Sequence, residues 1–338
     1  MALRFLTTTA EENNMHRHMI QIAAATLLAL TAASTFAQSW PTRPVRMIVP
    51  YTAGGATDLL ARAVGERLGT AIGQSIVIDN RPGANTIIGY QLQASAAPDG
   101  YTLIMGGFNA LVMNPLLYKT LSYNVDRDLA HIGLVGVSPL VVAAHPSLPA
   151  RNLKELVAYA KSNPGKLNFA SSGNGNLTHI AGELFMSMAG IQMQHVPYKG
   201  GSASMTDQLT GVIQLKFDTP ITALPFIRDG KLRALAVTSG KRMSALPDIP
   251  TVAEQGYKDY DAATWFSIAT RKGTPQGVIN KLSGELTRIV QLPEMRTRFG
   301  AVAIEMASGS PDELDRLVKQ DTQRWAAVIK KSGVTLTP

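Results

Sequence analysis

The chain of 338 residues contains no cysteine. Disulfides, thiolate catalysis and cysteine-ligated zinc are therefore excluded. Lys and Arg exceed Asp and Glu by 32 to 24, a formal net charge of +8, but they never form a block of five. Charge spread this evenly describes a solvated surface mildly favourable to anionic solutes, not a nucleic-acid stripe. No low-complexity linker separates domains. Beyond the N-terminal segment no apolar run is long enough to span a bilayer. Outside that segment the histidines are His131, His145, His179 and His195. No two stand at the i, i+3 or i, i+4 spacing of a helical metal pair, so neither metal nor cofactor is expected. What remains is globular: 45% hydrophobic and 17% charged residues, on a chain long enough for two domains.

The first residues read as a targeting segment. Met15-His16-Arg17-His18 precedes an apolar stretch from Met19 to Leu30, and Thr35-Phe36-Ala37 forms a signal-peptidase site before Gln38. Residues 1–37 are thus predicted to be a cleaved signal. Met15 is a candidate start of translation, because Glu11 and Glu12 do not suit a signal n-region. The mature protein is expected to be exported.

From there strands and helices alternate. Strand-like runs fall at 45–49, 75–79, 101–105, 132–144, 167–170, 194–197, 212–217 and 232–237. Leu60, Val64, Leu68 and Ile72 line one helical face. Asn152 with Glu155 reads as a capping box, while Thr274-Pro275 and Ser310-Pro311 open two C-terminal helices. Alternation of this kind predicts an α/β fold of mostly parallel sheets flanked by helices. The turns around 139–149 and 246–250 are the candidate crossings between two lobes. Two crossings imply a discontinuous first domain, 38–140 plus 260–338, around a second, 141–259. A ligand would sit in the cleft, and closure would be a hinge motion.

Three times a short strand runs into a small-residue turn and then a helix. The turns are Pro50-Tyr51-Thr52-Ala53-Gly54-Gly55, Ser171-Ser172-Gly173-Asn174-Gly175-Asn176 and Tyr198-Lys199-Gly200-Gly201. Helix N-termini carry unpaired N–H groups and partial positive charge, so these three mouths suggest an anion held by backbone amides. Other chemistries fit poorly. No Gly-Lys-Ser/Thr follows any mouth, so there is no phosphate loop. Gly173-Asn174-Gly175-Asn176-Leu177-Thr178 begins like a dinucleotide fingerprint but has Thr178 at the third glycine. Gly200-Gly201-Ser202-Ala203-Ser204 resembles a nucleophile elbow without its last glycine, and an N-cap serine is the commoner reading of Ser202. Asp218 reads as a helix cap or as a cleft acid. Trp265 and Phe266 read as core by default.

The order of several short motifs resembles one family, the extracytoplasmic receptors of tripartite tricarboxylate transporters, or Bug receptors. The motifs are Val49-Pro50-Tyr51-Thr52-Ala53-Gly54-Gly55 with Asp58 and Arg62, Asn80-Arg81-Pro82-Gly83-Ala84, Pro98-Asp99-Gly100-Tyr101-Thr102-Leu103, Pro197-Tyr198-Lys199-Gly200, Leu235-Ala236-Val237-Thr238-Ser239 and Leu246-Pro247-Asp248-Ile249-Pro250-Thr251. The resemblance spans about 41 to 335. It implies a two-lobed, monomeric, non-enzymatic periplasmic binding protein of type II-like fold. Such a protein captures a small carboxylate and delivers it to membrane permease subunits. Competing readings are a solute sensor feeding a signalling partner and a periplasmic serine hydrolase. Carried across by the resemblance, the ligand-binding positions are Tyr51, Ala53, Gly54, Gly55, Ser171, Ser172, Asn176, Thr178, Tyr198, Gly200 and Asp218. Three departures bear on the ligand: Ala53 where the family often has proline, Asn85-Thr86 for a common Gly-Gly, and Asn176 where serine is frequent.

Overall fold

The computed structural model describes residues 40–332. The expected export signal, 1–37, lies outside the described residues. The architecture concerns the compact unit that begins at Arg43.

Its strands gather into two sheets. The first contains β1 (Val45–Val49), β2 (Ile76–Asn80), β3 (Thr102–Gly107), β4 (Leu129–Pro139), β10 (Ala263–Arg271) and β11 (Glu305–Gly309), in the order β11-β4-β10-β3-β1-β2. The second contains β5 (Val141–Ala144), β6 (Asn168–Ser171), β7 (Gln194–Pro197), β8 (Leu215–Asp218) and β9 (Arg233–Val237), in the order β7-β6-β8-β5-β9. β1, between β3 and β2, buries Val45, Met47, Ile48 and Val49, and only Arg46, paired with Asp79, interrupts its apolar run.

The fold is two-lobed α/β, but the sheets are mixed rather than mostly parallel. Around β1 and β6 the ladders are parallel. β10 runs antiparallel to β3 and β4, β11 to β4, and β5 to both β8 and β9. Of the strands that run against their sheet, β5 and β10 are those on which the chain enters one sheet from the other, while β11 is the edge strand of the first sheet. The run 132–144, read as one strand, is a single extended path shared by both sheets: β4 ends at Pro139, Leu140 intervenes, and β5 starts at Val141. The chain returns after β9 and re-enters the first sheet as β10, with Ala263 opposite Pro139. β10 and β11 were not anticipated. The nine residues of β10 are buried almost throughout, so no two-residue period marks them.

The paired crossing segments separate two spaces. Leu140 and Thr264 line a small chamber. Their neighbours Pro139 and Ala263, with Val137, line a groove of about 700 Å3 reached from the other lobe by Lys241, Arg242 and Ser244. Successive strand residues face opposite ways, so a bend at this pair that opens one space narrows the other.

Helix Ala56–Ile72 buries Leu60, Val64, Leu68 and Ile72 as the spacing predicts, and ends on Gly73 at φ +78°. Helix Leu153–Ser162 starts on Asn152, whose side chain accepts from Glu155 N at 2.9 Å while Glu155 accepts from Arg151 N. Helix Pro311–Ser332 has its own capping box: Ser310 Oγ accepts from Glu313 N, and Glu313 from Ser310 N. At the other proline-opened helix, Gln276–Gln291, Pro275 is the cap residue rather than the first helical one. Helix Pro311–Ser332 anchors its sheet by Trp325, which is buried edge-on against Phe108 at 5.6 Å.

Candidate functional site

The first mouth is shaped by Asp58, one turn into helix Ala56–Ile72. Its Oδ2 accepts from Gly54 N (2.9 Å) and Arg62 Nε (3.0 Å), and its Oδ1 accepts from Asn80 Nδ2. Asn80 Nδ2 also donates to Tyr51 O. Burial pushes the Asp58 carboxyl up, but these donors outweigh it and hold it below its ordinary value. The loop is thereby bent so that Gly54, at φ +79°, turns its N–H inward to Asp58 rather than to a ligand. The amides of Gly55, Ala56 and Thr57 have no protein partner among the described residues. These are the orphan donors of a helix N-terminus, and all three residues line the chamber.

The second mouth is organised differently: most of its amides are already satisfied. Ser172 N donates to Thr178 Oγ1 (2.8 Å), Gly173 N to Ser171 Oγ (3.1 Å), Gly175 N to His179 Nδ1 (3.1 Å), and Leu177 N to Asn109 Oδ1 (2.7 Å). Asn176 caps helix Leu177–Ala189 by accepting from Thr178 N. Two stacked imidazoles, His179 and His195, stand behind this loop with centroids 3.7 Å apart. His195 Nε2 meets Ser171 Oγ at 2.6 Å, and burial together with His179 pushes its pKa down to about 3.

The third mouth closes on the first. Thr52 Oγ1 and Ser202 Oγ lie 2.9 Å apart, and Ser202 Oγ donates to Ala53 O at 2.9 Å. A side chain at Gly200 would begin 2.6 Å from Thr52 Oγ1, so only glycine permits this approach. Ser202 is neither the cap of its short helix, where Gly201 stands, nor hydrogen-bonded to a histidine. Tyr198 donates its hydroxyl to Asp207. Asp218 is fully buried beneath Gly201, at the end of β8.

Between the mouths lies a chamber of about 50 Å3. Of the expected positions, Tyr51, Gly55, Ser172, Asn176 and Thr178 line it. Tyr198 instead lines an adjoining outer space of about 250 Å3, where Tyr51 and Ser172 also appear. Ala53, Gly54, Ser171, Gly200 and Asp218 line neither. Residues not named from the sequence complete the chamber wall, among them Thr57, Gly107, Asn109, Gly201, Thr219 and Thr264. Asn109 stands two residues after Gly106-Gly107 at the end of β3, a fourth strand-to-glycine turn whose sequence signal is that glycine pair. Trp265 and Phe266 serve both as core and as wall, and Trp265 Nε1 is fixed by Asp321 at 2.7 Å.

No charged side chain lines this chamber. Tyr51 OH accepts from Asn109 Nδ2 (3.0 Å) and Asn176 Nδ2 (3.4 Å), which fills its lone pairs and leaves its own proton to donate. Burial, only partly offset by those two amides, pushes the phenol up to about 12, so it remains a donor at neutral pH. The hydroxyls of Thr57, Ser172 and Thr264 also lack protein partners among the described residues. Beside the chamber, Ala84, Asn85 and Thr86 all have positive φ (43°, 46° and 75°). Asn114 pins this loop through Asn85 O and Thr86 Oγ1, and Asn85 Oδ1 accepts from Asn176 across the cleft at 3.3 Å.

The profile of the tripartite tricarboxylate transporter family receptor matches residues 60–334. The chain is 35% identical to Protein BugT of Bordetella pertussis over 324 residues, covering 96% of this chain and 99% of that protein. Among solved structures it is similar to the periplasmic binding protein BugD (TM-score 0.84, 35% identity, 88% of this chain and 99% of that one). It is also similar to R. palustris Rpa4515 with adipate (TM-score 0.85, 34% identity, 88% and 99%). MatC from Rhodopseudomonas palustris with bound malate follows at a TM-score of 0.82 and 28% identity, over 86% of this chain and all of that one.

Proposed function

The chain belongs to the receptor family of the tripartite tricarboxylate transporters, the Bug receptors, and from that premise we propose that it is an exported receptor which captures a small carboxylate and delivers it to membrane permease subunits. The observation that supports this most directly is the chamber itself: a space without charged side chains, faced by neutral donors from both lobes. The Gly55, Ala56 and Thr57 amides, aided by the helix dipole, take one carboxylate oxygen, and the Tyr51 hydroxyl takes the other. Ser172, Thr264 and Thr57 hydroxyls complete the shell. Because the second mouth has already committed its amides to its own loop, it contributes Ser172 and Asn176 side chains rather than a ring of backbone N–H groups.

Each charge-assisted bond contributes about 1.5–3 kcal/mol net, so four or five near the upper end of that range reach the roughly 8 kcal/mol of a micromolar dissociation constant with a margin for ordering costs. Relatives solved with adipate and malate support a carboxylate as the class of ligand. The lobes, 38–140 plus 260–338 and 141–259, hinge at the paired strands flanking Leu140 and Thr264. Closure brings Ser202 onto Thr52 and Ala53.

Thermal-shift screening of the mature protein with a carboxylate panel that includes adipate and malate tests the receptor reading. A saturable rise in Tm with 1:1 stoichiometry by calorimetry is expected, about 2.7 kcal/mol of added stability at 100 times Kd. Absence of any carboxylate binder would overturn it. Recovery of a multi-span permease, rather than a sensor kinase, from membranes by the loaded receptor tests the delivery step.

A further inference from the structure

β8 reads Leu215-Lys216-Phe217-Asp218, and all four residues are buried. Lys216 has 0% side-chain exposure and Asp218 1%. A lysine with no access to water is unusual, because an ammonium loses its hydration unless a partner replaces it. Here the replacement is specific. Lys216 Nζ donates to Gly201 O at 2.6 Å and stands 2.8 Å from Asp218 Oδ2. Asp218 Oδ1 accepts from Thr219 N at 2.9 Å. Its Oδ2 receives no aligned hydrogen bond, so the ammonium is its partner by charge alone.

The location gives the pair its meaning. Gly201 and Thr219, the two backbone segments it grips, both line the chamber. Asp218 Oδ1 would lie 3.3 Å from a Cβ placed on Gly201, so the carboxylate sits directly behind the chamber wall. Left alone, that charge would repel an incoming carboxylate and attract an ammonium group. Buried in low dielectric, it would be felt strongly over this distance. Lys216 cancels it.

We propose that the Lys216–Asp218 pair determines specificity: by neutralising the acid behind the wall it makes the chamber select carboxylates that carry no α-ammonium group and reject amino acids. This rests on the carboxylate-receptor reading. Neither residue touches the ligand; both act through the charge and position of the wall.

The test uses matched acids that differ by an α-amino group: succinate and aspartate, glutarate and glutamate, adipate and 2-aminoadipate. Wild type, K216M and K216M/D218N are titrated with each by calorimetry. Wild type is expected to favour the plain acid by about tenfold or more. K216M is expected to weaken it by about 10- to 100-fold and to narrow or reverse the preference, the scale of one uncompensated charge nearby. K216M/D218N is expected to recover plain-acid binding to within about threefold of wild type, which a packing role for the lysine stem would not produce. Should K216M fail to fold, D218N carries the test with the opposite sign, since an uncompensated ammonium behind the wall tightens plain acids. If wild type binds plain and amino acids equally, if K216M matches wild type, or if the double variant stays as weak as K216M, the inference falls while the receptor reading stands. If wild type binds none of the plain acids, the receptor reading itself falls.

Discussion

Replacing Tyr51 with phenylalanine removes one oxygen from the chamber and little else. That oxygen now accepts from Asn109 and Asn176, and its proton is the one left over. Losing a neutral donor to a bound carboxylate costs about 1.5–3 kcal/mol, which weakens binding by roughly 10- to 150-fold. The folded protein is affected less. Asn176 Nδ2 retains Asn85 Oδ1 as an acceptor, and the chamber admits water beside Asn109, so unfolding stability should change by no more than about 1.5 kcal/mol. Calorimetric titration of both forms with the best carboxylate from the panel, alongside urea unfolding, separates the two effects. A second readout comes from pH. Because burial pushes the phenol up to about 12, wild-type affinity should stay level from pH 7 to about 10. A Kd for Y51F within threefold of wild type would refute the placement of this hydroxyl against the ligand. So would a wild-type affinity that falls with a midpoint near 10.

The other expectations are briefer. Thr57→Val keeps the shape of the first helical turn and deletes one open hydroxyl, so calorimetry should show binding weakened about tenfold with Tm nearly unchanged. His195 is held neutral in the fold, pushed down to about 3, while the unfolded chain takes up its proton near 6.5. Stability therefore rises with pH between about 3 and 6.5, by at most about 1.4 kcal/mol per unit, and His195→Gln should flatten urea-unfolding stability across that window. Ser244→Trp puts bulk into the groove behind the hinge, which must narrow if the cleft opens. Tighter binding of about fivefold with slower release is expected by stopped-flow, and unchanged release would speak against the hinge geometry.

Tyr51, Gly55, Ser172, Asn176 and Thr178, which the family resemblance implies as ligand positions, do line the chamber; all lie in or next to a strand–turn–helix mouth, a local pattern with a local cause. Gly54 stands apart from them. Its glycine is required by a positive φ, yet its amide is consumed by Asp58 four residues on, a pairing that depends on how the loop bends. Asn109, Thr219 and Thr264 lie about 50 to 210 residues beyond the first mouth, and apart from the glycine pair before Asn109 no local pattern marks them. They reach the chamber only because β3 and β8 end there and β10 begins there. Strand direction was misjudged for a related reason. Alternation of strand and helix implies parallel neighbours, but β5 and β10 are crossing strands whose direction follows from the path between lobes.

The amino-acid sequence by itself determined the family, the α/β class and the existence of glycine-rich helix mouths. Each motif, mouth and helix face is written in spacing within a dozen residues, where capping, periodicity and turn chemistry act, and the family and the class follow from the order of such patterns along the chain. Tertiary structure alone decided which residues of distant segments face the open amides, that Asn109 takes the Leu177 amide, and that Lys216 lies beneath Gly201 beside Asp218. A hydrogen bond or an ion pair is satisfied by whatever stands within about 3 Å. For a chain that twice crosses between two sheets, that distance is set by the fold and not by position along the chain.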